Sequence, residues 1–320
     1  MYYDRLLSDD FEKLFKKDGK LSWLIPYIKR TDDLDILIGK SGNQEYCSIY
    51  RGTSRIAKIT KSKNKYRVTA ADSYKKLGVN LYGDLDDGNF NETNLECLRQ
   101  EVQNNTKFDR YYNNIKEGYY QNMFQRHYGI EATCESLKLI VDKEVVIGYK
   151  DRNEKNKLFG KEQDKYKQCK HNLQNSNRKK YGKPSKDDSL GNELDLLALD
   201  TDGNIHLMEL KDGRSTSGIY MSPFQIGLYK RIFDKIDIKE TIKKMIEQKQ
   251  RIGLLPKDWI IPDIRDGYIL ELVIGGLDRC SRGALDRLKD VKGYIKENDA
   301  DIYNDICNIR VVGLRINKTR

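Results

Sequence analysis

Between residues 193 and 211 the chain carries two apolar runs, 193–200 and 205–211, joined by a turn that contains Asp202-Gly203. Asp-Gly between apolar runs is a strong short-range hairpin signal, and runs of this length and composition suit strands buried in a sheet. Charge is the exception there: Asp195 breaks the first run, and Glu209 and Lys211 break the second. Side chains alternate along a strand, so Glu209 and Lys211 share one face while Leu210 takes the other. An antiparallel neighbour then brings Asp195 beside them. Two carboxylates and one ammonium project from an apolar sheet, where an ionised group is costly unless it is paired or metal-bound.

Such a constellation has a chemical use. Mg²⁺ takes oxygen ligands and keeps several waters, and Asp195, Glu209 and the Leu210 backbone carbonyl supply three oxygens. A metal held there polarises a phosphodiester and makes hydroxide available near neutral pH. Lys211 is placed to hold the attacking water or to balance transition-state charge. The alternative is a Glu–Lys pair on a solvated strand with Asp195 at its end; the apolar neighbours disfavour it.

Downstream, Gln225 and Tyr229 stand four residues apart in MSPFQIGLYKRIF, a spacing that puts both on one helical face. Asp195, a hairpin, Glu209-Leu210-Lys211 and this Gln-x-x-x-Tyr helix together resemble the PD-(D/E)xK nuclease superfamily, in particular its RecB-like branch. The proline that often precedes the first acid is replaced by Glu193-Leu194, and the clustered cysteines of the iron–sulfur members are missing. The resemblance implies an α/β (α+β) fold, with a mixed central sheet flanked by helices in a restriction-endonuclease-like αβββαβ core. It also implies Mg²⁺- or Mn²⁺-dependent hydrolysis of DNA, in restriction, phage defence or repair, with Asp195 and Glu209 as metal ligands, Lys211 at the water, and Gln225 and Tyr229 positioning substrate. The family's metal site is often completed by a first-helix glutamate; Glu117 is the best-placed candidate and Glu101 the alternate. Glu193 shares a strand face with Asp195 and is a candidate for a second metal or its water, or a surface residue.

Around this segment, residues 1–30 read as helical. Three β-like runs follow at 34–39, 45–60 and 65–71, a small β-rich N-terminal module, and 84–92 reads as a linker. Two domains result: 1–92, of unread role, and 93–320, the nuclease-like part. In the second, 93–128 reads as a long helical stretch and 137–149 as a strand hairpin. After the Gln225 helix come a helix near 240–250, a strand at 267–276, a helix at 284–298 and a last strand at 308–316.

Formal net charge of +10 favours a polyanionic partner. The excess concentrates in residues 150–186, with thirteen Lys/Arg against four Asp/Glu. This is either a phosphate-binding arm, with Arg178, Lys179 and Lys180 as its contacts, or a solvated, mobile insertion; failing the arm, attraction falls to Arg279, Arg282 and Arg287. The six cysteines are scattered and read as reduced thiols. No stretch approaches the roughly 18 apolar residues of a membrane span, and no signal-peptide core opens the chain, so a cytoplasmic protein is expected. His127 and His171 lack spaced partners, and there is no phosphate-cradling Gly-x-x-x-x-Gly-Lys loop. A non-catalytic nucleic-acid-binding or assembly protein and an RNA-cutting enzyme are the other readings. Sequence specificity, endo- or exonuclease mode and homo-oligomer formation stay open.

Overall fold

The computed structural model describes residues 1–62, 65–109, 112, 116–185, 190 and 193–314. It is a mixed α/β chain with two five-stranded sheets, one in each of two compact units. The first, here the meander unit, comprises Asp4–Leu139 with Thr241–Ile261; the second, the mixed-sheet unit, comprises Met1–Tyr3, Ile140–Glu240 and Pro262–Arg320.

In the meander unit, β1 (Asp35–Ser41), β2 (Gln44–Arg51), β3 (Ser54–Ser62), β4 (Lys65–Thr69) and β5 (Gly83–Asp84) pair antiparallel in chain order. Two-residue turns set the register: Ser41 pairs Gln44 around Gly42-Asn43, and Arg51 pairs Ser54 around Gly52-Thr53. Both glycines take positive φ, +57° and +61°, which tight hairpins require and other residues resist. The segment expected to be a linker at 84–92 contributes β5 and a 3₁₀ turn, Leu85–Asp87.

The boundary expected at residue 92 also moves. Leu95, Leu98 and Val102 of the helix Glu92–Asn104 join Ile49, Ile56 and Ile59 of the sheet in one apolar core, together with Ile252 and Leu254 from the returning segment. The long helical stretch expected at 93–128 is broken among the described residues into Glu92–Asn104, Thr106–Asp109 and Glu117–Gln125.

In the mixed-sheet unit the strand order is β10-β9-β8-β7-β6, with β6 (Lys138–Val145), β7 (Leu194–Asp200), β8 (Ile205–Asp212), β9 (Tyr268–Gly275) and β10 (Arg310–Leu314). β7 and β8 are the antiparallel hairpin read from the Asp-Gly turn; β8, β9 and β10 run parallel. The hairpin expected over 137–149 is one strand, β6, which bends at Glu144 with φ +49°.

The helix Thr216–Phe233 packs on β8 and β9 and is itself covered by the helices Lys161–Ser176, Arg282–Asn298 and Ala300–Ile306. Its apolar residues therefore surround it instead of forming one stripe: Ile219, Phe224, Ile226, Leu228 and Ile232 are all buried. Gly227 permits this packing, since a Cβ there would sit 2.5 Å from Ile306 Cγ2. The basic segment 150–186 is no mobile insertion: its described part folds mainly into helices, anchored by buried Phe159, Tyr166, Cys169, Leu173 and Tyr181.

Candidate active site

Asp212 of β8, Gly275 of β9 and Leu314 of β10 stand in register near the carboxyl ends of three parallel strands. Glu209 and Lys211 lie at this carboxyl end of β8, the position where open α/β sheets bind ligands. Register in the hairpin pairs Leu196 with Met208 and Leu197 with Leu207, which carries Asp195 to the place opposite Glu209. The expected convergence of Asp195, Glu209 and Lys211 is present.

Glu209 is fully buried, and its Oε1 accepts from the Lys211 ammonium. The same ammonium stands 3.7 Å from Asp195 Oδ2, so one cation spans both carboxylates. Asp195 is also fixed from the backbone: Leu210 N–H donates to its Oδ2 at 2.8 Å. Gly218, in the first turn of the helix Thr216–Phe233, makes room for the lysine stem: a Cβ there would lie 3.2 Å from Lys211 Cδ.

The helix supplies the roof. Tyr229 is buried, and its hydroxyl meets no hydrogen-bond acceptor or donor among the described residues. Burial first, then the charges of Glu209, Asp195 and Glu193, hold its proton on well above the usual phenol range. A buried hydroxyl without a partner costs about 1–3 kcal/mol, so Tyr229 is kept there at a cost to stability. A small cavity of about 20 Å³, room for one water, lies against Tyr229, Tyr149 and Phe159. Gln225 takes a different part: its amide donates to the Glu193 carbonyl at 3.4 Å and straps the segment entering β7. The Glu193 side chain is exposed.

The other expected residues belong to other elements. Glu117 opens the helix Glu117–Gln125 and Glu101 lies in Glu92–Asn104, both in the meander unit, whereas the acid pair belongs to the mixed-sheet unit. Arg178, Lys179 and Lys180 form one helical turn, Arg178–Tyr181; Arg178 donates to Asn175, and Lys180 is bound to Asp290 at 2.6 Å. Among the described residues no three acidic, histidine or cysteine side chains converge to hold a metal by themselves. Two carboxylates and a carbonyl nevertheless fit a cation such as Mg²⁺, which takes most of its shell from water and substrate, and the lysine ammonium already marks where positive charge is stabilised between them.

A second buried charged cluster escaped the sequence reading. His206 lies on the opposite face of β8 from Glu209, with Nδ1 3.0 Å from Glu271 Oε1 and Nε2 3.0 Å from Asp200 Oδ2. Burial raises the Asp200 pKa, but hydrogen bonds from Asn204 and His206 outweigh it and leave the carboxyl below its usual range. The period-two spacing within the run 205–211, which sets His206 opposite Glu209, was the available signal. At the amino end of β8 and β9 a cleft of about 450 Å³ opens around Ile205, Arg265 and Tyr268. Its lysines are tied up, Lys239 by Asp266 and Lys235 by Glu162, each at 2.5 Å.

No helix among the described residues is long and apolar enough to cross a membrane. Comparison with protein-family models, with curated proteins and with solved structures finds nothing that matches this chain.

Proposed function

We propose that the chain is a metal-dependent nuclease that hydrolyses phosphodiester bonds in DNA, with the PD-(D/E)xK type of core expected from its motifs. The observation that carries this reading is the trio at the carboxyl end of β8: Asp195 and Glu209 bridged by Lys211, with the buried Tyr229 phenol within the field of their charges. A structural ion pair would not require a second carboxylate or an unpartnered phenol beside it.

Asp195, Glu209 and the Leu210 carbonyl would hold Mg²⁺ or Mn²⁺, which supplies Lewis acidity to the phosphodiester and acidifies water. Leu210 N–H keeps Asp195 in its rotamer, so the carboxylate oxygens are oriented before substrate arrives. Lys211 sits at the mouth of the pair, only partly exposed, where its ammonium can move from Glu209 to the charge that develops on the phosphoryl oxygens. Tyr229 donates its otherwise unused proton to the same region, and Gln225 holds the strand entrance still.

The test is hydrolysis of linear, circular and single-stranded DNA and of RNA by the purified protein in Mg²⁺, Mn²⁺ or EDTA. Cleavage of DNA that EDTA abolishes is expected. Tight DNA binding with no cleavage under either metal would replace the enzyme by a binding protein.

A further inference from the structure

Two basic segments more than a hundred residues apart meet on one surface of the mixed-sheet unit. Lys180 Nζ is 2.6 Å from Asp290 Oδ2 and 5.3 Å from the centre of the Tyr181 ring. Tyr181 meets Tyr220 edge to face at 6.1 Å. The Arg287 guanidinium lies over the other partner, 5.7 Å from the Tyr220 ring centre. Arg287 and Asp290 are one helical turn apart on Arg282–Asn298 and so share a face. The contacts run from Asp290 through Lys180, Tyr181 and Tyr220 to Arg287, back to the helix face that carries Asp290. Both tyrosines are buried, so their rings form a floor and the cations form the rim, which Arg178 and Lys179 extend as exposed side chains. Tyr220 lies on the same helix, Thr216–Phe233, as Gly218, which packs on the Lys211 stem.

We propose that this ridge is a docking surface for the phosphate backbone of duplex DNA, and that Asp290 is its internal counter-ion, which sets how tightly the backbone is held. It rests on the nuclease reading for the identity of the polyanion. The partner's chemistry follows from the surface: a cationic rim over buried rings offers charge to phosphates and no open ring face for a base to stack on. Lys180 is neutralised by Asp290 and must exchange that carboxylate for a phosphate, whereas Arg287 carries no carboxylate among its described contacts.

Binding of a short fluorescein-labelled DNA duplex to the full-length protein, measured in EDTA across a salt series, tests this without requiring cleavage. Arg287→Gln should weaken binding several-fold and make the slope of log K against log salt shallower by about 0.9, one phosphate contact. Asp290→Asn should act in the opposite direction, tightening binding and steepening the slope by up to about 0.9 as Lys180 is released. The opposite signs separate charge from damage, since an unfolded variant cannot bind more tightly. An unchanged slope in Arg287→Gln, weaker binding in Asp290→Asn, or equal affinity for anionic phospholipid vesicles would each overturn the proposal. Loss of cleavage with both shifts intact would sink the nuclease reading and leave the docking surface standing.

Discussion

In the meander unit, Arg126 donates to four backbone carbonyls, those of Ile28, Lys29, Thr31 and Leu34, and so closes the end of the helix Leu24–Lys29. Asp33 there gathers Arg51, Arg99 and Gln103. In the mixed-sheet unit, Glu209 and Asp195 share one ammonium, and the buried Tyr229 phenol, within the field of their charges, has no partner among the described residues. The first pattern satisfies helix-end acceptors and balances charge; it holds a fold together. The second leaves like charges close and a donor unused, which lowers stability and makes sense where something else completes the set. The contrast is between these two clusters and not between the units as wholes, since buried polar atoms without a partner among the described residues, Ser48 Oγ and Gln125 Oε1 for example, occur in the meander unit too.

The largest effect expected is at the ammonium. Lys211→Ala strips fully buried Glu209 of its ion partner and should destabilise the protein by about 3–5 kcal/mol. Millimolar Mg²⁺ should restore more of the melting temperature in this variant than it adds to the native protein. Equal metal responses would mean that the carboxylates do not form a cation site.

Arg126→Ala probes the other pattern. With four carbonyls losing a charged donor, a loss of about 3 kcal/mol or more is expected in urea unfolding, and no metal should reverse it. A variant as stable as the native protein would show that the meander's charge network does not carry its stability.

Tyr229→Phe sharpens the contrast further. Removing a hydroxyl that has no partner should leave stability unchanged or raise it by about 1 kcal/mol, while lowering the cleavage rate at saturating DNA. Destabilisation with unchanged rate would make Tyr229 a core residue and nothing more.

The smallest effect is acid sensitivity. Hydrogen bonds from Arg251, against opposing burial, hold the Glu12 carboxyl down at about 2, and the Arg99 guanidinium does the same for Glu96. A carboxyl depressed in the folded state stabilises above its unfolded pKa and loses that contribution as pH falls. The meander amides should therefore lose hydrogen-exchange protection between about pH 4.5 and 2, and Glu12→Gln with Glu96→Gln should flatten that profile. A profile the double variant does not alter would remove these pairs from the account.

What could be read from the sequence was what local chemistry dictates. The Asp-Gly turn and the alternation in 205–211 placed β7, β8 and the acid pair, and the four-residue spacing placed Gln225 and Tyr229 on one helix. What could not be read depended on distant partners. The pairing of Lys180 with Asp290, the edge-to-face meeting of Tyr181 and Tyr220, and the return of 241–261 to the meander core are long-range contacts without a local signature. In the basic run 150–186 polarity left an arm and a solvated insertion both open, while Tyr166, Cys169 and Leu173, spaced three and four apart, were already a helix's buried stripe. Lys143, fully buried on β6, breaks the expectation that lysines stay at the surface and has no local cue at all.

The central claim is that Asp195 and Glu209 form a divalent-cation site for phosphodiester hydrolysis. Its most direct test is single-turnover cleavage of duplex DNA by the native protein, Asp195→Asn and Glu209→Gln, each folded by circular dichroism and each assayed in Mg²⁺, Mn²⁺ and EDTA. The account predicts cleavage by the native protein in either metal, none in EDTA, and rates lower by a factor of about 10² or more in both variants. Cleavage that persists in the variants or in EDTA would contradict it.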